Sequence, residues 1–118
     1  MAERELCKLR EVYRAIGEFE LHFEQSYGLS FNEGLLLCSL SHEKQLTSGQ
    51  LAEMMGLTHS NASKVIRSVE RKNFIVRRSG DMDKRQMLFE LTIAGEELID
   101  SIKCTELSLP KILDDIVK

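Results

Sequence analysis

Between Asn73 and Thr92 the apolar residues stop recurring every three or four positions and alternate instead. This change of period limits the fold more than any other feature of the chain. Phe74-Ile75-Val76-Arg77-Arg78 is rich in strand formers, and Ser79-Gly80-Asp81-Met82-Asp83-Lys84 carries turn chemistry. Gln86-Met87-Leu88-Phe89-Glu90-Leu91 then returns as a second strand, so the segment predicts a β-hairpin. Everything around it reads as helix. The expected class is therefore mostly α with a small β-hairpin.

The helices announce themselves by caps and by apolar spacing. From Glu3 to about Gln25, Leu6, Leu9, Tyr13, Ile16, Phe19 and Phe23 recur at helical intervals on one expected face, and Gly28 closes the helix. Ser30 with Glu33 has capping-box spacing, opening a helix through Phe31, Leu35, Leu36 and Leu40 that stops near His42. Thr47 with Gln50 repeats that spacing before Leu51, Ala52, Met54 and Met55, and Gly56 ends the short helix. Thr58 caps a fourth helix, with Ala62, Val65, Ile66 and Val69 turned inward and Asn73 as a left-handed terminator. After the hairpin, Thr92 caps a helix whose apolar set is Ala94, Leu98, Ile99 and Ile102. Pro110 forces a break or restart, and Ile112, Leu113, Ile116 and Val117 continue to the end.

Two short helices joined by a glycine turn and followed at once by a hairpin make a helix-turn-helix with a wing. Charge falls on the same elements. Residues 59–85 hold eight basic side chains against three acidic ones, a balance of +5, while the other 91 residues carry −8. A basic patch on an acidic body predicts an anionic partner met by one face.

The sequence resembles the multiple-antibiotic-resistance-regulator (MarR) family of winged-helix repressors. The likeness runs from about Ser30 to Ile102 and is densest at LTSGQLAEMMGLTHSNASKVIRSVERKNFIVRR, residues 46–78, and at GDMDKRQMLFELTIAG, residues 80–95. The latter is similar to the family's wing, with its Asp-x-Arg tip and following Leu-Thr-x-x-Gly. Asn73 stands where the family usually has glycine, Met82 where proline is frequent, and Lys84 where arginine is. The resemblance implies a single domain over 1–118. Residues 30–92 would form the winged helix-turn-helix lobe, and residues 1–27 and 93–118 the flanking dimerisation helices, the last of them short. It further implies a homodimer on a pseudo-palindromic operator in double-stranded DNA, a repressor relieved by a small-molecule effector.

The candidate contacts follow from position and chemistry. On the fourth helix, His59, Ser60, Asn61 and Ser63 keep the backbone close to base edges, while Lys64 and Arg67 reach guanine acceptors or phosphates. At the wing, Arg85 and Lys84 suit a narrow, electronegative minor groove. Asp83 would orient arginine side chains or serve simply as a turn aspartate. Arg77 and Arg78 alternate across a strand, so one is expected to reach phosphate and the other to stay structural.

Other chemistry finds little support. His22, His42 and His59 are scattered, and neither a glycine-rich phosphate loop nor a nucleophile elbow is present, so no catalytic role and no cofactor are expected. Cys38 and His42 share a helical face but make only two ligands, so no metal site is expected. Cys7, Cys38 and Cys104 match no disulfide or zinc framework, and packed thiols are the simplest reading. The longest apolar run, Leu35-Leu36-Leu37-Cys38, cannot span a membrane, and the charged N-terminus lacks a signal core; a cytoplasmic protein is expected. Two alternatives stand beside DNA-linked ligand sensing. One is thiol-based oxidant sensing through Cys7, which thiol-sensing members of the family place in a similar region. The other is a winged-helix protein-interaction module that reads no DNA.

Overall fold

The computed structural model describes every residue except Met1, Asp81, Lys84 and Glu106. Its elements are α1 (Ala2–Tyr27), α2 (Phe31–His42), α3 (Ser48–Met55), α4 (His59–Arg71), β1 (Ile75–Ser79), β2 (Met87–Leu91), α5 (Ile93–Lys103) and α6 (Lys111–Val117). They divide into two compact units, Asn32–Thr105 and Met1–Phe31 with Glu106–Lys118.

In the Asn32–Thr105 unit the caps read from sequence are realised as hydrogen bonds. The Thr47 hydroxyl accepts from the Gln50 amide at 3.1 Å while the Gln50 side chain accepts from the Thr47 amide at 2.9 Å. Gly56 then turns left-handed at φ 69° and stops α3. Thr58 caps α4 by accepting from the Asn61 amide, and Asn73, the one non-glycine residue with positive φ (66°) among those described, ends it. That left-handed residue lets the chain reverse at once into β1 without a connecting loop. α3 packs on α4 and on β2, α4 on β1, and α5 on β2. Leu36, Leu37, Leu51, Ala62, Ile66, Val69, Ile75, Phe89 and Ile99 are buried here. Each large side chain among them contributes roughly 1.5–3 kcal/mol by leaving water.

β1 and β2 pair antiparallel with Ile75 opposite Leu91, Arg77 opposite Phe89 and Ser79 opposite Met87. Leu46 adds a third, one-residue bridge: its amide donates to the Phe89 carbonyl at 3.2 Å, and its carbonyl accepts from the Phe89 amide at 2.8 Å. A single bridging residue has no alternation to read, so the sequence pattern passed over it. The bridge ties the entry to α3 directly to the wing.

Of the apolar set of α5, Ile99 is buried and Leu98 and Ile102 half-buried, and Ala94 is the exception. Gly95 and Ile99 are buried, whereas Ala94 is exposed. Thr92 sets this phase. Its hydroxyl donates to the Asn73 carbonyl at 2.8 Å and accepts from the Gly95 amide at 3.0 Å, and its amide donates to the Phe74 carbonyl at 3.0 Å. Gly95 is thereby pressed against the turn after α4, where hydrophobicity alone would have placed alanine.

In the other unit, α6 lies along α1. Phe19, Phe23, Tyr27 and Phe31 form a ring cluster with centroids 5.0–6.5 Å apart, and Ala15 and Phe23 are buried. The single apolar face expected for α1 is thus covered only in its C-terminal half. Leu6, Leu9, Tyr13 and Ile16 remain 42–81% exposed, because the aromatic cluster lies further along the helix. Ile116 and Val117 of α6 are exposed as well.

Candidate nucleic-acid interface

α4 carries two opposed stripes. Ala62, Ile66 and Val69 face the interior. His59, Ser60, Asn61, Ser63, Lys64, Arg67 and Arg71 are exposed. Ser60, Lys64, Arg67 and Arg71 recur at four, three and four residues, so they form one ridge opposite the buried face. Among the described residues Lys64, Arg67 and Arg71 take part in no ion pair. Arg71 lies on the same ridge seven positions after Lys64, although the contact residues expected from sequence stop at Arg67.

Among the described residues of the segment, Lys72, Arg77, Arg78 and Arg85 hold carboxylates. Arg77 grips Glu70 through Nε at 2.8 Å and Nη2 at 3.0 Å, and its guanidinium lies 5.4 Å from the Phe89 ring centroid. The hydrogen bond and charge of Glu70 raise the Arg77 pKa further above its ordinary value. Arg78 pairs with Glu90, which also accepts from Gln45. Both strand arginines are therefore tied to carboxylates, one on α4 and the other on β2. A cleft of about 220 Å³ opens between Ser48, Ser63, Ile66, Arg67, Arg77 and Phe89, joining the start of α3, the outer face of α4 and the wing.

The hydrogen bonds from Arg78 and then Gln45 hold the Glu90 carboxyl below its ordinary value of 4.5. A carboxyl depressed in the folded state stabilises the fold above its unfolded pKa, and that contribution is lost as pH falls through the folded value. Arg78→Ala is therefore expected to leave less stability to lose on acidification below about pH 5. Thermal unfolding of both proteins across that range checks it; parallel curves would remove the pair's contribution.

At the wing tip the chain closes through Gly80, whose amide donates to the Gln86 carbonyl at 2.8 Å, while the Gln86 amide donates to the Asp83 carbonyl at 3.0 Å. Asp83 Oδ1 accepts from the Arg85 amide at 3.0 Å and more loosely from Arg85 Nε at 3.4 Å. The Arg85 side chain is 94% exposed. Lys84 lies outside the described residues. Cys7 is exposed on α1, well apart in sequence from the helix-turn-helix, and Cys104 is exposed at the end of α5. No group of three metal-ligating side chains exists among the described residues. No described helix is long and apolar enough to cross a membrane.

Known proteins share this arrangement. The MarR family profile matches residues 29–87, from the start of α2 to the second wing strand. The chain is 31% identical over 98 residues to the HTH-type transcriptional regulator YdcH of Bacillus subtilis, covering 82% of this chain and 64% of that protein. Across the curated relatives it matches, the chain spans from half to about two-thirds of their length. Among solved structures, a MepR-like protein complexed with pseudoligands superposes with a TM-score of 0.77 at 18% identity, over 89% of this chain and 74% of that one. The Staphylococcus aureus MepR–DNA complex gives 0.66 at 21% identity, over 92% and 83%. At such identities the structures speak for the fold, six helices with a small antiparallel sheet. The profile match speaks for descent: with half of the sequence inside it, from the helix-turn-helix through the first wing strand and the wing loop, the chain belongs to the MarR family.

Proposed function

We propose that this chain is a sequence-specific DNA-binding transcriptional regulator that acts as a homodimer on a pseudo-palindromic operator, a repressor released by a small ligand. The observation that carries the reading is the ridge of Lys64, Arg67 and Arg71, three cations without carboxylate partners among the described residues, opposite the buried face of α4. On a chain of net charge −3 such a ridge attracts a polyanion locally, not through overall charge. α4 would enter the major groove, with His59, Ser60, Asn61 and Ser63 near base edges. Arg85, with Asp83 beside it and Lys84 next to it in sequence, would meet the minor groove. Among strand residues, Arg77 would bring charge to the backbone while held by Glu70. The DNA-bound state of the MepR neighbour supports this assignment.

The exposed stripe of Leu6, Leu9, Tyr13 and Ile16 supports the dimer, since four large apolar side chains in a row exceed what scattered surface exposure explains. In the Asn32–Thr105 unit a cleft of about 380 Å³ has Leu40, Leu91 and Ile99 on its apolar side and His42, Lys44 and Lys103 among its polar residues. A small ligand there would release DNA only by favouring a geometry in which α4 fits the groove less well.

The test is enrichment of bound duplexes from a randomised pool, with sedimentation of the protein alone and on the enriched duplex. The expected outcome is a dimer at micromolar concentration and an enriched inverted repeat with half-sites about one helical turn apart. A monomer that enriches no sequence would sink the proposal in favour of a protein-interaction module.

A further inference from the structure

The buried stripe of α4 fixes how deeply the helix sits. Apolar burial has no direction, however, and by itself permits rotation and sliding. The directional contacts lie on the two flanks. On one flank, Ser68 Oγ donates to Glu33 Oε2 at 2.7 Å and Lys72 Nζ donates to Glu33 Oε1 at 2.9 Å. On the other, Glu70 holds the two nitrogens of Arg77. Ser68 and Lys72 are one turn apart, and Glu70 falls on the opposite side of the helical wheel. Glu33 is 4% exposed, although a glutamate in the first turn of a helix ordinarily stays in water. One of its carboxylate oxygens is engaged by Ser68 of α4 and the other by Lys72 at that helix's C-cap, 35 and 39 residues later in sequence.

An ion pair that buries its carboxylate while its lysine stays exposed is poor ground for stability, because the desolvation of the carboxylate offsets much of the attraction. What the pair supplies is orientation. We propose that Glu33 is a positioning residue for DNA recognition: with Ser68 and Lys72 it sets the rotation of α4, so that Ser60, Lys64, Arg67 and Arg71 are presented squarely to the groove. The inference rests on the reading of α4 as the recognition helix. Base-edge hydrogen bonds demand close alignment, whereas long basic side chains follow a phosphate through a small rotation. Loosening Glu33 should therefore cost specificity before it costs general affinity. Nothing in the ridge itself needs to change.

The test compares wild type, Glu33→Gln and Ser68→Ala on the duplex that wild type enriches from a randomised pool and on a scrambled duplex. All three are measured at a temperature where thermal unfolding shows them folded. Glu33→Gln is expected to weaken the enriched duplex by about tenfold or more, within the range of one lost base contact, while the scrambled duplex changes less than about twofold. Ser68→Ala should act in the same sense and more weakly. A ratio between duplexes that stays at the wild-type value would overturn the proposal and leave Glu33 a purely structural residue. Should Glu33→Gln fail to fold, Ser68→Ala decides alone by the same ratio. If wild type itself enriches no sequence, the reading of α4 falls, an outcome distinct from failure of the Glu33 contact.

Discussion

Arg67→Ala is expected to collapse the preference for the enriched duplex over a scrambled one, whereas Arg85→Ala should weaken both by similar factors. Arg67 stands on the outer ridge of α4 at the edge of the cleft shared with Ser63, Arg77 and Phe89, and under the proposed reading it would reach base edges. Losing such a contact costs ~1–3 kcal/mol and relaxes specificity at the position it reads. Asn61→Ala should behave alike, since its amide is already used by the Thr58 cap and its side chain faces outward. Arg85 differs because it projects from the wing tip, held among the described residues by Asp83 alone. Its loss should flatten the dependence of binding on salt by about one unit for every sequence, apart from a preference for narrow A·T grooves. Titrations of each variant on both duplexes at several salt concentrations read the two signatures. If Arg85→Ala changes only the enriched duplex while the α4 variants change both equally, the division of labour is reversed.

Gly95→Ala should be among the most destabilising single substitutions in the chain. A Cβ at that position would stand 2.1 Å from the Phe74 carbonyl oxygen and 3.1 Å from its carbon, both backbone atoms that cannot swing aside. That carbonyl also accepts from the Thr92 amide, so relieving the clash breaks the anchor of α5. Overpacking of this kind costs upward of ~1–3 kcal/mol, and against backbone the upper end is expected, a drop of roughly 10 °C or more in melting temperature. Gly49→Ala provides the contrast. Its added Cβ meets nothing nearer than His59 Cε1 at 3.7 Å, so the better helix former should be neutral or add up to ~1 kcal/mol. Thermal unfolding of the two variants gives the answer, and equal melting temperatures would refute the steric argument.

The two glycines look alike in sequence, and the difference between them shows where local reading stops. Caps were legible because they are local. Thr47 with Gln50, Thr58 and Thr92 each bond an amide three residues away, as the spacing implied. Asn73 was legible for the same reason, since a short polar side chain tolerates the left-handed turn that lets α4 run straight into β1. The hairpin followed from alternation over two runs of residues, and the polar start of α4 through Lys64 and Arg67 from helical spacing, whereas Arg71 on the same ridge did not. Glu33 was not legible. In sequence it sat three residues after a serine at capping-box spacing, yet its carboxylate reaches Ser68 and Lys72 on another helix.

The sequence by itself therefore determined which helices and strands form, where most of them begin, and which side of α4 is polar, because hydrogen bonds to near neighbours and the period of apolar residues decide those matters. It did not mark the end of α5 at Lys103, well before Pro110. Only the tertiary structure decided which cations remain unpaired, which part of α1 stays uncovered, which residues of α5 face inward, and that Leu46 joins the wing. Arg77 and Arg78 pair with Glu70 and Glu90 through proximity that the chain creates only when α4, β1 and β2 come together. Ala94 points outward and Gly95 inward because Thr92 must reach the carbonyls of Asn73 and Phe74, a constraint between distant residues that overrides the hydrophobicity of any one of them.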